Sequence, residues 1–192
     1  MAIVQVYSQA PQSLIKAAQN ECSTVDWLNL PFPDLRPQLS IFNTSSALHL
    51  RVHKAAANTP HTVHALSEII DCVDTPVRNL FPGLNALASW VCQETAAECI
   101  GRIMVVRLLA RGSVAQHIDP GKYFQFYYRF HVPIFTNEDV YFYDEENSRE
   151  LMPQGFLCQL YNQKKHGVIN NSGLDRIHLI IDLRTNRAEY RY

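Results

Sequence analysis

Alternating apolar and polar positions are clearest in the second half of the chain. Over 124–131, Phe124, Phe126, Tyr128 and Phe130 take one set of alternate positions, and Gln125, Tyr127, Arg129 and His131 take the other. Strand side chains point alternately to two faces, so this pattern predicts a strand with one apolar face and one face carrying Arg and His. Residues 175–182 repeat it, with Ile177, Leu179 and Ile181 set against Arg176, His178, Ile180 and Asp182. An ordinary sandwich strand turns its polar face to water. Here the polar faces also carry Tyr127, Gln125 and Ile180, which suits the lining of a semi-enclosed pocket, although a solvent-facing edge strand would show the same alternation. Strand texture covers 102–109, 123–135, 139–144, 155–161, 166–170 and 175–184, with turn-rich pieces between.

The first half reads differently. Residues 2–7 predict a short strand, and Pro11–Asn20 a helix with Leu14, Ile15 and Ala18 on one side. Pro31, Pro33 and Pro37 make 26–40 a loop, and 54–62 reads as a connection. In 40–53, Leu48, Leu50 and Val52 alternate with polar residues, as in a strand. Leu80–Glu98 predicts the most secure helix, its stripe formed by Leu80, Leu84, Leu87, Ala88 and Val91, with Pro82 in the first turn and Gly101 as the stop. Many short strands after a helical portion predict a mainly β fold, an antiparallel sandwich or barrel with helices packed outside. The expectation is one domain over 1–192, with 1–100 as support and 101–184 as the core.

Composition narrows the function classes. The 192 residues are 47% hydrophobic and 18% charged, as in a globular chain. Seventeen basic and 18 acidic residues leave a net charge of -1, which argues against nucleic acid as a main ligand. Five scattered cysteines lack a C-x-x-C step and read as core thiols in a reducing compartment. No basic segment followed by a long apolar run opens the chain, and no run approaches the ~20 apolar residues a spanning helix needs. The expectation is a cytoplasmic protein with no membrane partner.

The chemistry concentrates in 111–135 and 166–183. His117 and Asp119 form an H-x-D step, and His166 follows after 46 intervening residues. Two imidazoles and a carboxylate on one side of an octahedral metal leave three positions for a chelating co-substrate and oxygen, which suits Fe(II). H-x-D alone is a weak signal, and DPGK directly after it fits a surface turn. Order and spacing sharpen it, because Arg176 opens an apolar strand shortly after His166. An arginine there can hold a carboxylate through paired, charge-assisted hydrogen bonds. The bland alternative pairs Arg176 with Asp175 or Asp182 at the surface. His178 reads as a supporting or rim residue, and His49, His53, His61 and His64 as ordinary histidines. Ser172 is a candidate hydroxyl donor to the far carboxylate.

The motifs H-I-D at 117–119, Y-R-F-H-V-P-I at 128–134 and H-G-V-I-N-N-S-G-L-D-R-I-H-L-I-I-D at 166–182 together resemble the aspartyl/asparaginyl beta-hydroxylase family of Fe(II)/2-oxoglutarate-dependent dioxygenases. The resemblance covers about 100–184 and implies a double-stranded beta-helix, a cupin-like jelly roll with N-terminal helices outside. It implies His117, Asp119 and His166 as iron ligands, Arg129, His131 and Arg176 as contacts of 2-oxoglutarate, and O2 as the oxidant. Some members, including animal enzymes acting on EGF-like domains, have glycine where this chain has Asp119, so the chain is similar to those with a complete triad. The implied activity is hydroxylation of an amino-acid or peptidyl side chain. Two other classes fit a jelly roll with these residues. One is a binding or scaffold protein without catalysis, and the other is a cupin-like metalloenzyme that has no use for 2-oxoglutarate.

Overall fold

A computed structural model describes residues 2–32, 42–54 and 71–190. The elements run β1 (Val4–Gln9), α1 (Gln12–Thr24), β2 (Ser45–His53), β3 (Cys72–Asp74), α2 (Pro82–Glu94), β4 (Ala97–Leu108), β5 (Ser113–His117), α3 (Lys122–Phe126), β6 (Tyr128–Phe135), β7 (Val140–Tyr143), β8 (Arg149–Glu150), β9 (Phe156–Leu160), β10 (His166–Asn170) and β11 (Arg176–Thr185). Short 3-10 turns at Pro76–Leu80 and Ala188–Tyr190 precede α2 and follow β11. Seven strands make one sheet in the order β1-β9-β6-β11-β4-β2-β3, and four make the other in the order β5-β10-β7-β8. The ladders β1–β9, β9–β6, β6–β11, β11–β4, β4–β2 and β2–β3 are all antiparallel, as are β5–β10, β10–β7 and β7–β8. This is a jelly roll with helices outside, as the strand and helix texture predicts.

Alternation sorts each central strand between two cores. Ile177, Leu179, Ile181 and Leu183 of β11 and Phe130, Val132 and Ile134 of β6 join Ile15, Leu84, Leu87 and Val91 of the helices. Removing these apolar surfaces from water supplies the main drive for docking the helices on the large sheet. Val114, Phe142 and Val168 of the small sheet pack with Leu108, Cys158 and Leu160 in a second cluster. The buried Arg176, His178 and Asp182 take the positions of β11 that alternate with the helix-facing residues.

The helices keep their predicted stripes but not their predicted ends. Leu84, Leu87, Ala88 and Val91 are buried, whereas Leu80 is 65% exposed and precedes α2. The Glu21 carboxylate accepts from the N–H groups of Gly83 (2.6 Å) and Leu84 (2.8 Å), tying α1 to the start of α2. α2 ends at Glu94, and Ala96 adopts φ 48° before β4 begins at Ala97. Gly101 therefore lies inside β4 instead of stopping a helix. A Cβ there would come 2.4 Å from Tyr123 Oη, so only glycine fits.

The expected single strand over 123–135 is corrected too. Lys122–Phe126 is a helix, and extended backbone begins at Tyr127. Gly121, at φ 97°, turns the chain into this helix. Tyr123 is then fully buried, and the guanidinium carbons of Arg102 and Arg129 lie over the Phe124 ring at 5.0 and 4.7 Å. These tertiary contacts override the two-residue period. Among the expected core thiols, Cys99 is exposed and Cys92 only partly covered. The loop expected over 26–40 is described only to 32. His61, His64 and most of the 54–62 connection lie outside the described residues.

Candidate metal centre

Sheet pairing brings the distant triad together. β10 runs antiparallel to β5 with His166 opposite His117, and Asp119 follows two residues after β5. One potential ligand atom from each of His117, Asp119 and His166 lies within 4.8 Å of the others. Among the described residues this is the one such group of histidine, cysteine and acidic side chains.

Hydrogen bonds fix which ring nitrogens keep a lone pair. His117 Nδ1 lies 2.9 Å from the Ala115 carbonyl, and His166 Nδ1 lies 2.8 Å from the Lys164 carbonyl. A carbonyl only accepts, so each Nδ1 carries the proton and each Nε2 keeps its lone pair. Such backbone contacts orient metal-ligating imidazoles. Burial pulls the His166 pKa down to about 4, so the ring is neutral at pH 7, as a ligand must be. Burial pushes the Asp119 carboxyl up, but Arg129, His166 and His117 outweigh it and the net shift is downward. The donor set is two imidazole Nε2 atoms and one ionised carboxylate, and it fits a divalent transition metal such as Fe(II).

Arg129 sits between two carboxylates. Its Nη1 donates to Asp119 Oδ2 at 2.6 Å, while Nε and Nη2 donate to Asp182 Oδ1 and Oδ2 at 2.8 and 3.1 Å. Asp182 is fully buried and also accepts from Tyr123 Oη and Arg102 Nε, each at 3.1 Å. Burial raises the Asp182 carboxyl, yet Arg129 and Arg102 leave it below its usual range. Asp182 stands opposite Arg129 in the β11–β6 ladder, which explains the contact.

A second polar group forms around Arg176, which is buried rather than paired at the surface. Asp175 instead bonds Arg107 Nε at 2.6 Å and the Ala110 N–H at 2.8 Å. Arg176 Nη2 donates to His178 Nδ1 at 2.7 Å, and its guanidinium carbon lies 5.5 Å from the Phe142 ring centroid. With Nδ1 accepting, His178 carries its proton on Nε2. His131 Nδ1 is 3.3 Å from the same His178 nitrogen and donates to it. Burial, with Arg176 adding to it, holds both histidines well below their usual pKa. The Nε2 atoms of His131 and His178 are buried without a hydrogen-bond partner among the described residues. Buried polar atoms left this way are costly unless something meets them. The cationic Arg176 and the His178 Nε2–H together match a carboxylate ligand.

The structure thus gathers His117, Asp119 and His166 in one group, bridges Asp119 to Asp182 through Arg129, and joins Arg176 to His131 through His178. Ser172 Oγ is engaged in the β10–β11 turn, 2.6 Å from Asn170 Oδ1 and 2.9 Å from the Leu174 carbonyl. Asp182, Tyr123 and Asn162 were not singled out from the sequence. For Asp182 a signal existed, since it shares the alternate positions of Arg176 and His178.

Residues 73–186, more than half the chain, match the sequence model of the aspartyl/asparaginyl beta-hydroxylases. The chain belongs to the aspartyl/asparaginyl beta-hydroxylase family. No curated protein matches it. Among solved structures it resembles an oxidoreductase of the 2OG-Fe(II) oxygenase family from Burkholderia pseudomallei, with TM-score 0.57 and 15% identity over 98% of this chain and 88% of that one. A prolyl hydroxylase from Trichoplax adhaerens, in complex with a hypoxia inducible factor oxygen degradation domain peptide fragment, gives TM-score 0.61 and 9% identity over 94% and 83%. A Pseudomonas putida prolyl-4-hydroxylase gives 0.53 and 12% over 96% and 94%. At these identities the likeness is one of fold. No described helix is long and apolar enough to cross a membrane.

Proposed function

We propose that this protein is an Fe(II)- and 2-oxoglutarate-dependent oxygenase that hydroxylates a C–H bond of an amino acid or a peptidyl side chain. The observation that carries the proposal is the convergence of His117, Asp119 and His166, with Nδ1–H bonds leaving both Nε2 atoms available. His117 and His166 would hold the metal through Nε2, and Asp119 through a carboxylate oxygen. Bound Fe(II), 2-oxoglutarate and O2 supply the oxidising power for hydroxylation, with succinate and CO2 as co-products. The chain's own part is to bind and orient. Arg176 and the His178 Nε2–H would grip a carboxylate of 2-oxoglutarate, and His131 holds His178 in the required tautomer. We assign Arg129 to the Asp119 carboxylate it already contacts. Family membership supports amino-acid chemistry, and the prolyl hydroxylase folds favour a peptide as the substrate class.

The test is anaerobic Fe(II) titration with and without 2-oxoglutarate, followed by visible absorption. We expect a weak metal-to-ligand charge-transfer band only when both are present. His166→Ala should lose Fe(II) binding. Arg176→Ala should keep Fe(II) and lose the band. A folded, iron-loaded wild type without the band would refute the use of 2-oxoglutarate and leave the cupin-like metalloenzyme reading.

A further inference from the structure

The two oxygens of Asp119 have different surroundings. Oδ2 accepts from Arg129 Nη1 at 2.6 Å and from Asn162 Nδ2 at 2.9 Å. Oδ1 faces the histidines, 3.7 Å from His117 Nε2. Asn162 also accepts the Asp119 backbone N–H at 3.0 Å, so it grips both the main chain and the side chain of the carboxylate. Asn162 is fully buried.

The Arg129 contact is itself braced. Asp182 takes two of its nitrogens in a fork, and the Phe124 ring lies 4.7 Å from its guanidinium carbon. Asp182 is in turn fixed by Tyr123 Oη and Arg102 Nε. Charge-assisted, paired hydrogen bonds of this kind specify geometry as well as attraction. For Oδ2 to turn toward a metal, Asp119 would have to abandon the charged Arg129 donor and the amide of the buried Asn162.

We propose that Asn162, Arg129 and Asp182 are positioning residues that restrict Asp119 to one-oxygen coordination through Oδ1. This inference rests on the metal-site reading above. A carboxylate bound through both oxygens takes two places on an octahedral ion. One bound through a single oxygen takes one and leaves three, the number a chelating co-substrate and oxygen require. The brace makes the chain, rather than the metal, decide how many places stay open. It also explains a buried ionic chain that core packing does not require.

The test uses Co(II), whose visible spectrum reports coordination number, in the full-length protein. Asn162→Ala removes one donor from Oδ2 and keeps the backbone bonds of 119 and 162. We expect a folded Asn162→Ala protein to bind Co(II) with a spectrum shifted from that of wild type. The variant should also hold Co(II) about 10–100-fold more weakly, the range that loss of such supporting contacts costs. Asp182→Asn, compared where thermal melting shows it folded, should shift the spectrum in the same direction. The spectrum decides. A folded Asn162→Ala protein whose Co(II) spectrum superimposes on wild type overturns the brace and leaves the metal site standing. A wild type that binds no Co(II), or binds it equally well after His166→Ala, overturns the metal site and the brace with it.

Discussion

Gly101→Ala should destabilise the protein through Tyr123, and a second substitution should restore much of the loss. The added Cβ would sit 2.4 Å from Tyr123 Oη, 3.0 Å from the Asp182 carbonyl oxygen and 3.3 Å from Asp182 Cβ. The first distance is about 1 Å inside normal contact. Tyr123 is fully buried, so its ring has no open route of escape. Displacing it breaks the Arg102 N–H bond to Oη (2.8 Å) and the Oη–H bond to Asp182 (3.1 Å). Overpacking costs about 1–3 kcal/mol, and each hydrogen bond adds about 1 kcal/mol, more where a charge is involved. The total is about 3–5 kcal/mol, or on the order of 10 °C in Tm for a chain of this size. Urea unfolding of wild type, Gly101→Ala, Tyr123→Phe and the double variant closes the cycle. Phenylalanine lacks the oxygen the Cβ meets, so the double variant should be more stable than additivity predicts by about 2 kcal/mol. Additivity within about 0.5 kcal/mol would show that Gly101 is not there to make room for Tyr123.

Three further outcomes follow from the contacts. Glu21→Gln should cost about 1–2 kcal/mol in urea unfolding, because it weakens the cap at Gly83 and Leu84, and should leave Fe(II) binding unchanged. Asn170→Ala should cost about 2–4 kcal/mol and weaken 2-oxoglutarate binding, because the buried Asn170 Nδ2 holds the carbonyls of Leu109 (3.0 Å) and Leu174 (2.8 Å) just before Arg176. Metal-free stability should decline as pH falls below about 6.5: His131 and His178 are held well below that value when folded, so only the unfolded chain takes up those protons. The lowered Asp119 and Asp182 carboxyls add their loss only below about 3.8, and a flat unfolding free energy from pH 7 to pH 5 would contradict the histidine assignment.

How legible each part was depended on whether its cause was local. The β11 alternation placed Ile177, Leu179 and Ile181 against Arg176, His178 and Asp182, because a pleated strand between two layers leaves its period in the sequence. The stripe Leu84, Leu87, Ala88 and Val91 was equally plain, but the end of α2 was not. Gly101 looked like a stop, and its real reason, the Tyr123 hydroxyl, lies 22 positions along the chain. The aromatic run 123–127 followed a strand period and became a helix once Tyr123 reached Asp182 and Phe124 met two guanidinium groups. That His117, Asp119 and His166 belong together was readable from their residue types and order, and the structure gathers them. The brace around it was not, because each member looked like something else. Asn162 sat in a turn, Arg129 looked free to hold a ligand, and Asp182 looked like the polar end of a strand. Only the β11–β6 register, which sets Asp182 opposite Arg129, shows that these two charges neutralise one another. A charge that one strand leaves unexplained should therefore be sought on the neighbouring strand's matching face before a ligand is assigned to it. Here that order of inference gives Arg129 to Asp119, and Arg176, joined to His178 and beside Nε2 atoms that have no hydrogen-bond partner among the described residues, stays the cation proposed for the co-substrate.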